Sequence, residues 1–299
     1  MKLLTFRDGS ELRVGLLGGD GRTVYDLSGQ LPPGVGVREL VERWAELGPG
    51  LDGDLAALPA APLAELTLAA PIPVPRRNLF AVGKNYLEHA TEFSRSGFDA
   101  THRAGDADTP DRPIVFSIAT TAVTGPYDPV DLHVGLARQI DYEAELAVII
   151  GTGGRGINAA SAFDHVWGYT IVNDVTARDL QRAHKQWLLG KGLDTHCPMG
   201  PFAVSADKVD LGALVVECRV NGELRQKAPV SDLIFDIPTL IETISAGITL
   251  LPGDIIATGT PAGVGIGHDP PKFLGEGDVV EISITGLGTL RNEFRAGVT

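Results

Sequence analysis

The stretch of sequence that decides the fold is Asp141-Tyr142-Glu143-Ala144-Glu145-Leu146-Ala147-Val148-Ile149-Ile150. Its second half is apolar and rich in β-branched residues, and a glycine-rich turn follows it, which predicts a strand. Since side chains alternate faces along a strand, Glu143 and Glu145 share one face, roughly 7 Å apart along the chain. That face continues with Ala147 and Ile149, which we expect to be buried. The two carboxylates therefore mark the place where a buried face meets a polar opening.

An E-x-E pair taken alone is most often a polar strand face exposed to water. The apolar continuation of this face favours a different interpretation. Two buried, unpaired carboxylates are costly unless a cation neutralises them. The stretch thus predicts a cation site.

The composition is that of an ordinary globular protein. The chain has 299 residues, 43% of them hydrophobic and 21% charged, which is enough for a large core. Its 37 glycines and 20 prolines predict many turns and short strands. A net charge of −13 argues against nucleic acid or an anionic membrane as a partner. Two cysteines, no signal-peptide core and no long apolar run predict a cytoplasmic protein without disulfides.

Residues 1–70 form a predicted small N-terminal α+β domain. Strands are expected at Leu3–Phe6 and Leu12–Leu17, and Val37–Leu47 has the apolar spacing of a helix. The Ala- and Pro-rich segment Ala56–Pro75 is interpreted as a linker laid along a surface. Nothing in this domain indicates chemistry, so we expect it to serve packing.

Residues 71–299 form the second predicted domain. A strand at Asn78–Val82 leads to a short helix that Asn85 could cap. On that helix His89 and Glu92 are i,i+3 neighbours. A carboxylate beside an imidazole fixes its tautomer and stabilises its protonated form, as a histidine base requires. An ordinary surface pair is the alternative.

The segment Phe93–Arg112 follows the candidate base directly. It is small, polar and charged, with few apolar anchors. Long loops of this kind inside a compact domain are usually lids or disordered segments. We expect a lid that orders over substrate.

More polar residues with a possible chemical role lie in the middle of the chain. Asp174 follows a predicted strand, where it could cap the predicted helix Val175–Trp187 instead of binding a ligand. Arg178 and Gln181 share a face of that helix. Lys191 lies between two glycines, where a ligand could approach the backbone closely, or it is a turn lysine in water.

The last third of the chain carries clear local patterns. They are a hairpin at Asn221-Gly222, a helix from Asp236 to Ala246, a strand at Gly253–Ala257, a glycine-rich loop at Gly259–Gly265, and a closing hairpin at Val279–Ile284 and Thr289–Phe294. The glycine-rich loop is not a P-loop, since no Gly-Lys-Ser/Thr follows. It would expose backbone N–H groups to anions.

Five separated segments resemble the fumarylacetoacetate hydrolase family, in the order of that family and over roughly residues 70–299. They are Val82-Gly83-Lys84-Asn85-Tyr86 with His89 and Glu92, Asp141 to Leu146, Asn173 to Asp179, Gly190-Lys191 through Pro198-Met199-Gly200-Pro201, and Gly253-Asp254 through Gly259-Thr260-Pro261. The resemblance implies a mainly β (α+β) fold, a curved β-sandwich or roll with short helices.

The resemblance also implies a divalent metal ion held by Glu143, Glu145 and Asp174. Three carboxylates are hard oxygen ligands, so Mg²⁺ or Mn²⁺ is expected, with Ca²⁺ possible. Three carboxylates and one divalent ion leave one negative charge, so an anionic substrate needs further cations, for which Arg178 and Lys191 are the candidates.

Further roles are implied by the same resemblance. Gln181, Lys191 and Thr260 would line the substrate site, while His89 and Glu92 would form the catalytic dyad. Lys191 would also stabilise an enolate or deliver a proton.

Three positions depart from family patterns. Val82 replaces the fourth metal carboxylate of the animal-type branch, which indicates the three-ligand branch. Phe116-Ser117-Ile118 lacks the lysine and prolines of many relatives. His196 stands where an aromatic residue is common.

We therefore expect a metal-dependent hydrolase that cleaves the C–C bond of an acylpyruvate-type acid to pyruvate and a carboxylic acid. The alternatives are an oxaloacetate-type decarboxylase or an isomerase of unsaturated 2-hydroxy diacids on the same site. A non-catalytic metal-binding protein is a third. The expected partners are a small 2-oxo acid and, as the family implies, a second copy of the chain in a homodimer.

Overall fold

The computed structural model describes residues 1–98 and 107–298. The strands are β1 (Lys2–Asp8), β2 (Glu11–Leu17), β3 (Thr23–Asp26), β4 (Ala60–Pro62), β5 (Thr67–Ala69), β6 (Leu79–Gly83), β7 (Ile114–Ile118), β8 (Val123–Thr124), β9 (Val130–Asp131), β10 (Ile140–Asp141), β11 (Ala144–Ile150), β12 (Val166–Asn173), β13 (Thr176–Ala177), β14 (Cys197–Pro198), β15 (Ala203–Ser205), β16 (Val215–Val220), β17 (Glu223–Pro229), β18 (Ile255–Ala257), β19 (Val279–Ile284) and β20 (Gly288–Arg295). The α-helices are α1 (Val37–Glu42), α2 (Trp44–Leu47), α3 (Leu87–Arg95), α4 (Arg178–His184), α5 (Leu188–Lys191) and α6 (Ile237–Ser245).

One large sheet and one smaller sheet form the frame. The large sheet has the order β4-β3-β2-β1-β15-β12-β11-β18-β6-β7, and β5 pairs with β1. The smaller sheet has the order β17-β16-β19-β20-β9. The predicted mainly β, α+β fold with short helices is confirmed.

Strand β11 lies in the interior of the large sheet and is buried on both faces. Leu146 and Val148 belong to a core shared with the inward residues of β16 and β19. Ala147 and Ile149 belong to a second core, shared with α1. The large sheet is thus covered by the smaller sheet on one face and by N-terminal helices on the other. Each fully buried Leu, Ile or Val of this strand contributes roughly 2 kcal/mol.

The N-terminal strands continue the large sheet. Strand β1 pairs with β15 through Lys2–Val204 and Leu3–Ala203. The division into residues 1–70 and 71–299 stays a prediction, with a sheet that runs across it. The predicted linker Ala56–Pro75 is more regular than expected, because it contains β4 and β5, whose backbone pairs with β3 and β1.

The sequence predicted local structure correctly where the hydrogen-bond partners are close together in sequence. The Asn221-Gly222 hairpin joins β16 and β17, and the Asp236 side chain accepts a hydrogen bond from Thr239 N–H at the start of α6. The predicted helix Val37–Leu47 is broken at Arg43 into α1 and α2.

Two predicted helix caps are wrong. Asn85 does not cap α3, because its side-chain amide bonds to backbone groups of Phe235 and Thr258 instead. Asp174 does not cap a helix either, since α4 begins only at Arg178.

The predicted lid, Phe93–Arg112, is only partly within the described residues. Phe93 to Arg95 are the end of α3, and residues 99–106 lie outside the described part. Closure over substrate therefore stays a prediction, as does the homodimer. Among the described residues, every helix is too short or too polar to cross a membrane.

Candidate active site and metal centre

The three predicted metal ligands lie together at one end of the large sheet. Strands β11 and β12 are antiparallel, with Ala144 opposite Asn173. This register places Glu143 and Glu145, at the start of β11, beside Asp174, just after the end of β12. One carboxylate oxygen from each lies within 4.8 Å of the others. All three side chains are buried.

Burial and mutual repulsion shift the pKa values of these three carboxyl groups. Burial and the neighbouring carboxylates Asp174 and Glu143 raise the pKa of Glu145 well above its usual value. Burial also raises the pKa of Asp174, to about 6. Burial acts in the same direction on Glu143, but Lys191 and Arg178 outweigh it and lower the pKa of Glu143 to about 2. Within this cluster Glu143 holds the charge most firmly.

Two buried cations compensate the carboxylates. Lys191 Nζ donates to Glu143 Oε2 at 2.8 Å, Asp174 Oδ2 at 2.6 Å and Thr176 Oγ1 at 2.9 Å. The Arg178 guanidinium lies 2.6 Å from Glu143 Oε1 through its Nη2. The cations proposed for substrate binding therefore also neutralise the cluster itself.

The donor set fits a divalent cation. Asp174 Oδ1 is buried and accepts no hydrogen bond from any residue in 1–98 or 107–298. An oxygen without a partner beside two further carboxylates is the arrangement that a hard cation completes. In the same described part, Glu143, Glu145 and Asp174 are the residues that cluster in this way, and Val82 supplies no fourth carboxylate.

Helix α3 carries the predicted dyad. His89 Nδ1 lies 3.1 Å from Glu92 Oε2, and His89 is only 4% exposed. The Gly263 N–H donates to both Glu92 oxygens, at 3.0 and 3.3 Å. A buried imidazole with one nitrogen held by a carboxylate leaves its other nitrogen for chemistry.

One cavity is lined both by His89 of the dyad and by Glu143 and Glu145 of the carboxylate cluster. Its wall is formed by residues in or next to α3, β6, β11, α4, α5 and the glycine-rich loop: Val82, Gly83, Lys84, His89, Phe93, Glu143, Glu145, Arg178, Gln181, Trp187, Lys191 and Thr260. Of the predicted site residues, Asp174 and Glu92 are not part of this wall.

A family model, described as fumarylacetoacetate (FAA) hydrolase C-terminal, matches residues 78–295. The chain belongs to the fumarylacetoacetate hydrolase family. The family resemblance predicted from the sequence is thereby confirmed.

Several named relatives of this family match the chain. "Oxaloacetate tautomerase YisK" of Bacillus subtilis is 53% identical over 233 residues, 78% of this chain and 74% of that protein. The human mitochondrial "oxaloacetate tautomerase FAHD2A" is 39% identical over 300 residues, 98% of this chain and 91% of that protein.

Solved structures of family members superpose along the full length. A fumarylacetoacetate hydrolase of Exiguobacterium antarcticum has 42% identity and a TM-score of 0.85, covering 99% of both chains. A maleylpyruvate hydrolase of Sphingobium sp. SYK-6, in complex with manganese(II) and pyruvate, has 32% identity and a TM-score of 0.80, covering 100% of both chains.

Three residues of the cavity wall were not singled out from the sequence. Phe93 and Trp187 form an aromatic wall, with ring centroids 6.1 Å apart and nearly perpendicular planes. Lys84 lines the cavity with a backbone φ of 55°, a left-handed conformation that lysine rarely adopts. Their hydrophobic or charged character is ordinary in sequence, so only the tertiary structure identifies them.

A second group lies behind the cavity. Asp141 accepts from Arg178 Nε at 2.9 Å, and Gln226 donates to Thr260 Oγ1 at 2.7 Å. His196, in contrast, is absent from the cavity wall: its Nε2 lies 2.9 Å from the carbonyl oxygen of Asp131.

Proposed function

We propose that this chain is a divalent-metal-dependent tautomerase that interconverts the enol and keto forms of oxaloacetate. The enol of oxaloacetate is an unsaturated 2-hydroxy diacid, so this reaction falls within the isomerase alternative. That alternative has more support than C–C hydrolysis of an acylpyruvate. The names of the relatives at 53% and 39% identity favour it.

The observation that carries the proposal is the shared cavity of His89 and the carboxylate cluster. The cavity wall combines the cationic Arg178 and Lys191 with the polar Gln181 and Thr260, which suits a small anionic 2-oxo acid. A base and an electrophile in one cavity are what proton transfer next to a carbonyl requires.

Glu143, Glu145 and Asp174 would hold the ion, which when bound supplies Lewis-acid polarisation of the 2-oxo group. His89 removes a proton from C3 of the keto acid. The C3–H electron pair becomes the C2=C3 bond, and the carbonyl pair moves to the C2 oxygen. Glu92 stabilises the imidazolium that this step creates. Return of the proton to the C2 oxygen completes the enol, and the reverse sequence gives the keto form.

Two buried side chains are proposed to orient the acid. Gln181 and Thr260 present amide and hydroxyl groups to the cavity. Lys191, with three acceptors already in place, keeps two of the cluster carboxylates oriented and stabilises negative charge that develops on the C2 oxygen.

Hydrolysis of a 2,4-dioxo acid is the second candidate. It is favoured by the full-length match to the maleylpyruvate hydrolase whose structure holds manganese(II) and pyruvate. In hydrolysis His89 would deprotonate a water that attacks the distal carbonyl, and cleavage of the C–C bond would release the pyruvate enolate, so the two reactions differ in their first proton transfer.

The test follows C3 deuteration and pyruvate formation from oxaloacetate in D₂O by NMR. Metal-stripped protein is assayed with and without added Mn²⁺, beside Mn²⁺ alone. Tautomerase activity predicts metal-dependent deuteration at C3 faster than pyruvate formation. Pyruvate formation at the same rate as deuteration would indicate a decarboxylase, and cleavage of an acylpyruvate without any effect on oxaloacetate would indicate the hydrolase.

Two variants assign the roles. His89→Ala should abolish the protein-dependent deuteration and leave Mn²⁺ binding intact, whereas Glu143→Gln should abolish both. His184→Ala, which removes an exposed imidazole, is the matched control. Full activity of His89→Ala would contradict the assigned base.

A further inference from the structure

Backbone N–H groups of the glycine-rich loop, Gly259–Gly265, donate hydrogen bonds to carboxylates of the protein itself. Gly259 N–H donates to Glu145 Oε2 at 2.7 Å. Gly263 N–H donates to Glu92, and Gly265 N–H donates to Asp141 Oδ1 at 2.6 Å. The sequence predicted that this loop would expose N–H groups to anions. Those anions are the carboxylates of Glu145, Glu92 and Asp141. One short loop contacts both halves of the site.

Asp141 and Tyr142 fasten this loop to the start of β11. Asp141 is fully buried and accepts from the N–H groups of Gly265 and Ile266. The Tyr142 hydroxyl donates to the carbonyl oxygen of Gly263 at 2.8 Å. The next residue along, Glu143, belongs to the metal cluster. The metal cluster and the loop thus share one attachment point.

The loop in turn fixes the dyad helix. Gly263, whose N–H holds Glu92, has a φ of 103°, and a Cβ there would lie 1.9 Å from the carbonyl oxygen of Arg225. A Cβ at Gly267 would lie 1.6 Å from Glu92 Oε1. The apolar side chains of Val264 and Ile266 pack in one cluster with Phe93 and Phe98. Contact this close leaves Glu92 little freedom relative to the loop.

We infer that Tyr142 is a positioning residue, whose hydroxyl sets the place of the Gly263 peptide and thereby of Glu92 and His89 relative to the metal cluster. Tyr142 is not part of the cavity wall, so it acts through the loop that its hydroxyl contacts. The chain of contacts runs from β11 through Tyr142 and Gly263 to Glu92. A misplacement on the order of 1 Å in such a chain can cost about 100-fold in rate.

The test variant is Tyr142→Phe, which removes one oxygen and preserves the ring. The matched control is Tyr169→Phe, another buried tyrosine, on β12 and outside the cavity wall. Hydrogen exchange is measured by mass spectrometry on full-length, Mn²⁺-loaded protein. Amides of 87–95 should exchange faster by about 5-fold, the factor expected for a typical net hydrogen bond, while those of 166–173 stay unchanged.

The kinetic measurement rests on the proposed function, whereas the hydrogen-exchange measurement does not. Tyr142→Phe should lower kcat for C3 deuteration by about 10-fold or more while the Mn²⁺ affinity and KM change by less than about 2-fold. Gly267→Ala, which pushes on Glu92 directly, should give the same pattern.

Unchanged exchange in 87–95 for Tyr142→Phe would overturn the inference. So would an equal acceleration in 166–173, because that would show general destabilisation. If the wild-type protein lacks tautomerase activity, the proposed function fails, and the exchange comparison still decides the role of Tyr142.

Discussion

Asp174→Asn should make the metal-free protein more stable, although it removes a proposed metal ligand. The pKa of Asp174 is raised from 3.8 to about 6 by burial. The folded state therefore binds more protons than the unfolded state between these values, and stability falls as pH rises through this window. Above about pH 6 the full cost is present, about 3 kcal/mol at 1.36 kcal/mol per pH unit.

Asparagine cannot ionise, keeps the shape of aspartate and can still accept from Lys191. In EDTA at pH 8 we expect the variant to be more stable by about 3 kcal/mol, which corresponds to a Tm higher by about 5 °C in a chain of 299 residues. Mn²⁺ should remove and then reverse this difference as its concentration rises. A ligand at 100 times its Kd stabilises the wild type by about 2.7 kcal/mol, which nearly cancels the difference, and at 1,000 times by about 4.1 kcal/mol, which reverses it.

Urea denaturation at pH 5 and pH 8, in EDTA and over a Mn²⁺ series, measures these differences. Asp164→Asn, an exposed carboxylate, is the control and should behave like the wild type. The reasoning is refuted if Asp174→Asn is less stable than the wild type in EDTA at pH 8. It is also refuted if the variant gains as much from Mn²⁺ as the wild type does.

Three further changes test the surroundings of the cavity. In Gly83→Ala the new Cβ would lie 2.2 Å from the Trp187 ring and displace it. We expect KM to rise by about 10-fold and the tryptophan fluorescence to shift. An unchanged KM would argue against a role of the Trp187 ring in the cavity wall. Burial lowers the pKa of His196 from 6.5 to about 4. The free energy of unfolding should therefore fall by up to about 3 kcal/mol as the pH drops from 6.5 to 4. In His196→Gln, urea denaturation at pH 7 and pH 4.5 should not show this fall. Gln226→Leu should lower the free energy of unfolding in urea by about 1–3 kcal/mol, because the buried Ala144 N–H loses its acceptor. A loss below about 0.5 kcal/mol would contradict this.

The strand Asp141–Ile150 shows why much of the site could be predicted from the sequence. Two carboxylates on the face of an otherwise apolar strand conflict with burial, and that conflict is visible without a structure. The structure divides the stretch into β10 and β11 with Glu143 between them, yet both glutamates are buried and close to Asp174. Local patterns such as Asn221-Gly222 were equally readable, because their hydrogen-bond partners are neighbours in sequence.

The parts that could not be predicted depend on partners distant in sequence. Asn85 resembles a helix cap, but its amide bonds to residues 150 and 173 positions away, at Phe235 and Thr258. Asp141 binds Arg178 and a loop more than 120 positions later. Nothing in the local pattern distinguishes a carboxylate held by distant N–H groups from one in water. Secondary-structure propensity depends on residues that are close in sequence. The contacts of Asn85 and Asp141 are made by chain segments that meet only in the folded state.

The carboxylate cluster and the dyad do not by themselves decide which reaction follows. Relatives named as tautomerase, isomerase and hydrolase match this chain at 53%, 32% and 32% identity. A carboxylate cluster and a histidine base can serve all three, since an enolate forms in each reaction. The reactions differ in what His89 would deprotonate first: C3 of the acid in tautomerisation, or, in hydrolysis, a water that attacks the distal carbonyl, so that the enolate forms only when the C–C bond breaks. An attacking water needs polar partners, and the rings of Phe93 and Trp187, which line the cavity with His89, offer it few. We therefore expect His89 to act on the acid and not on a water, which is the tautomerase outcome.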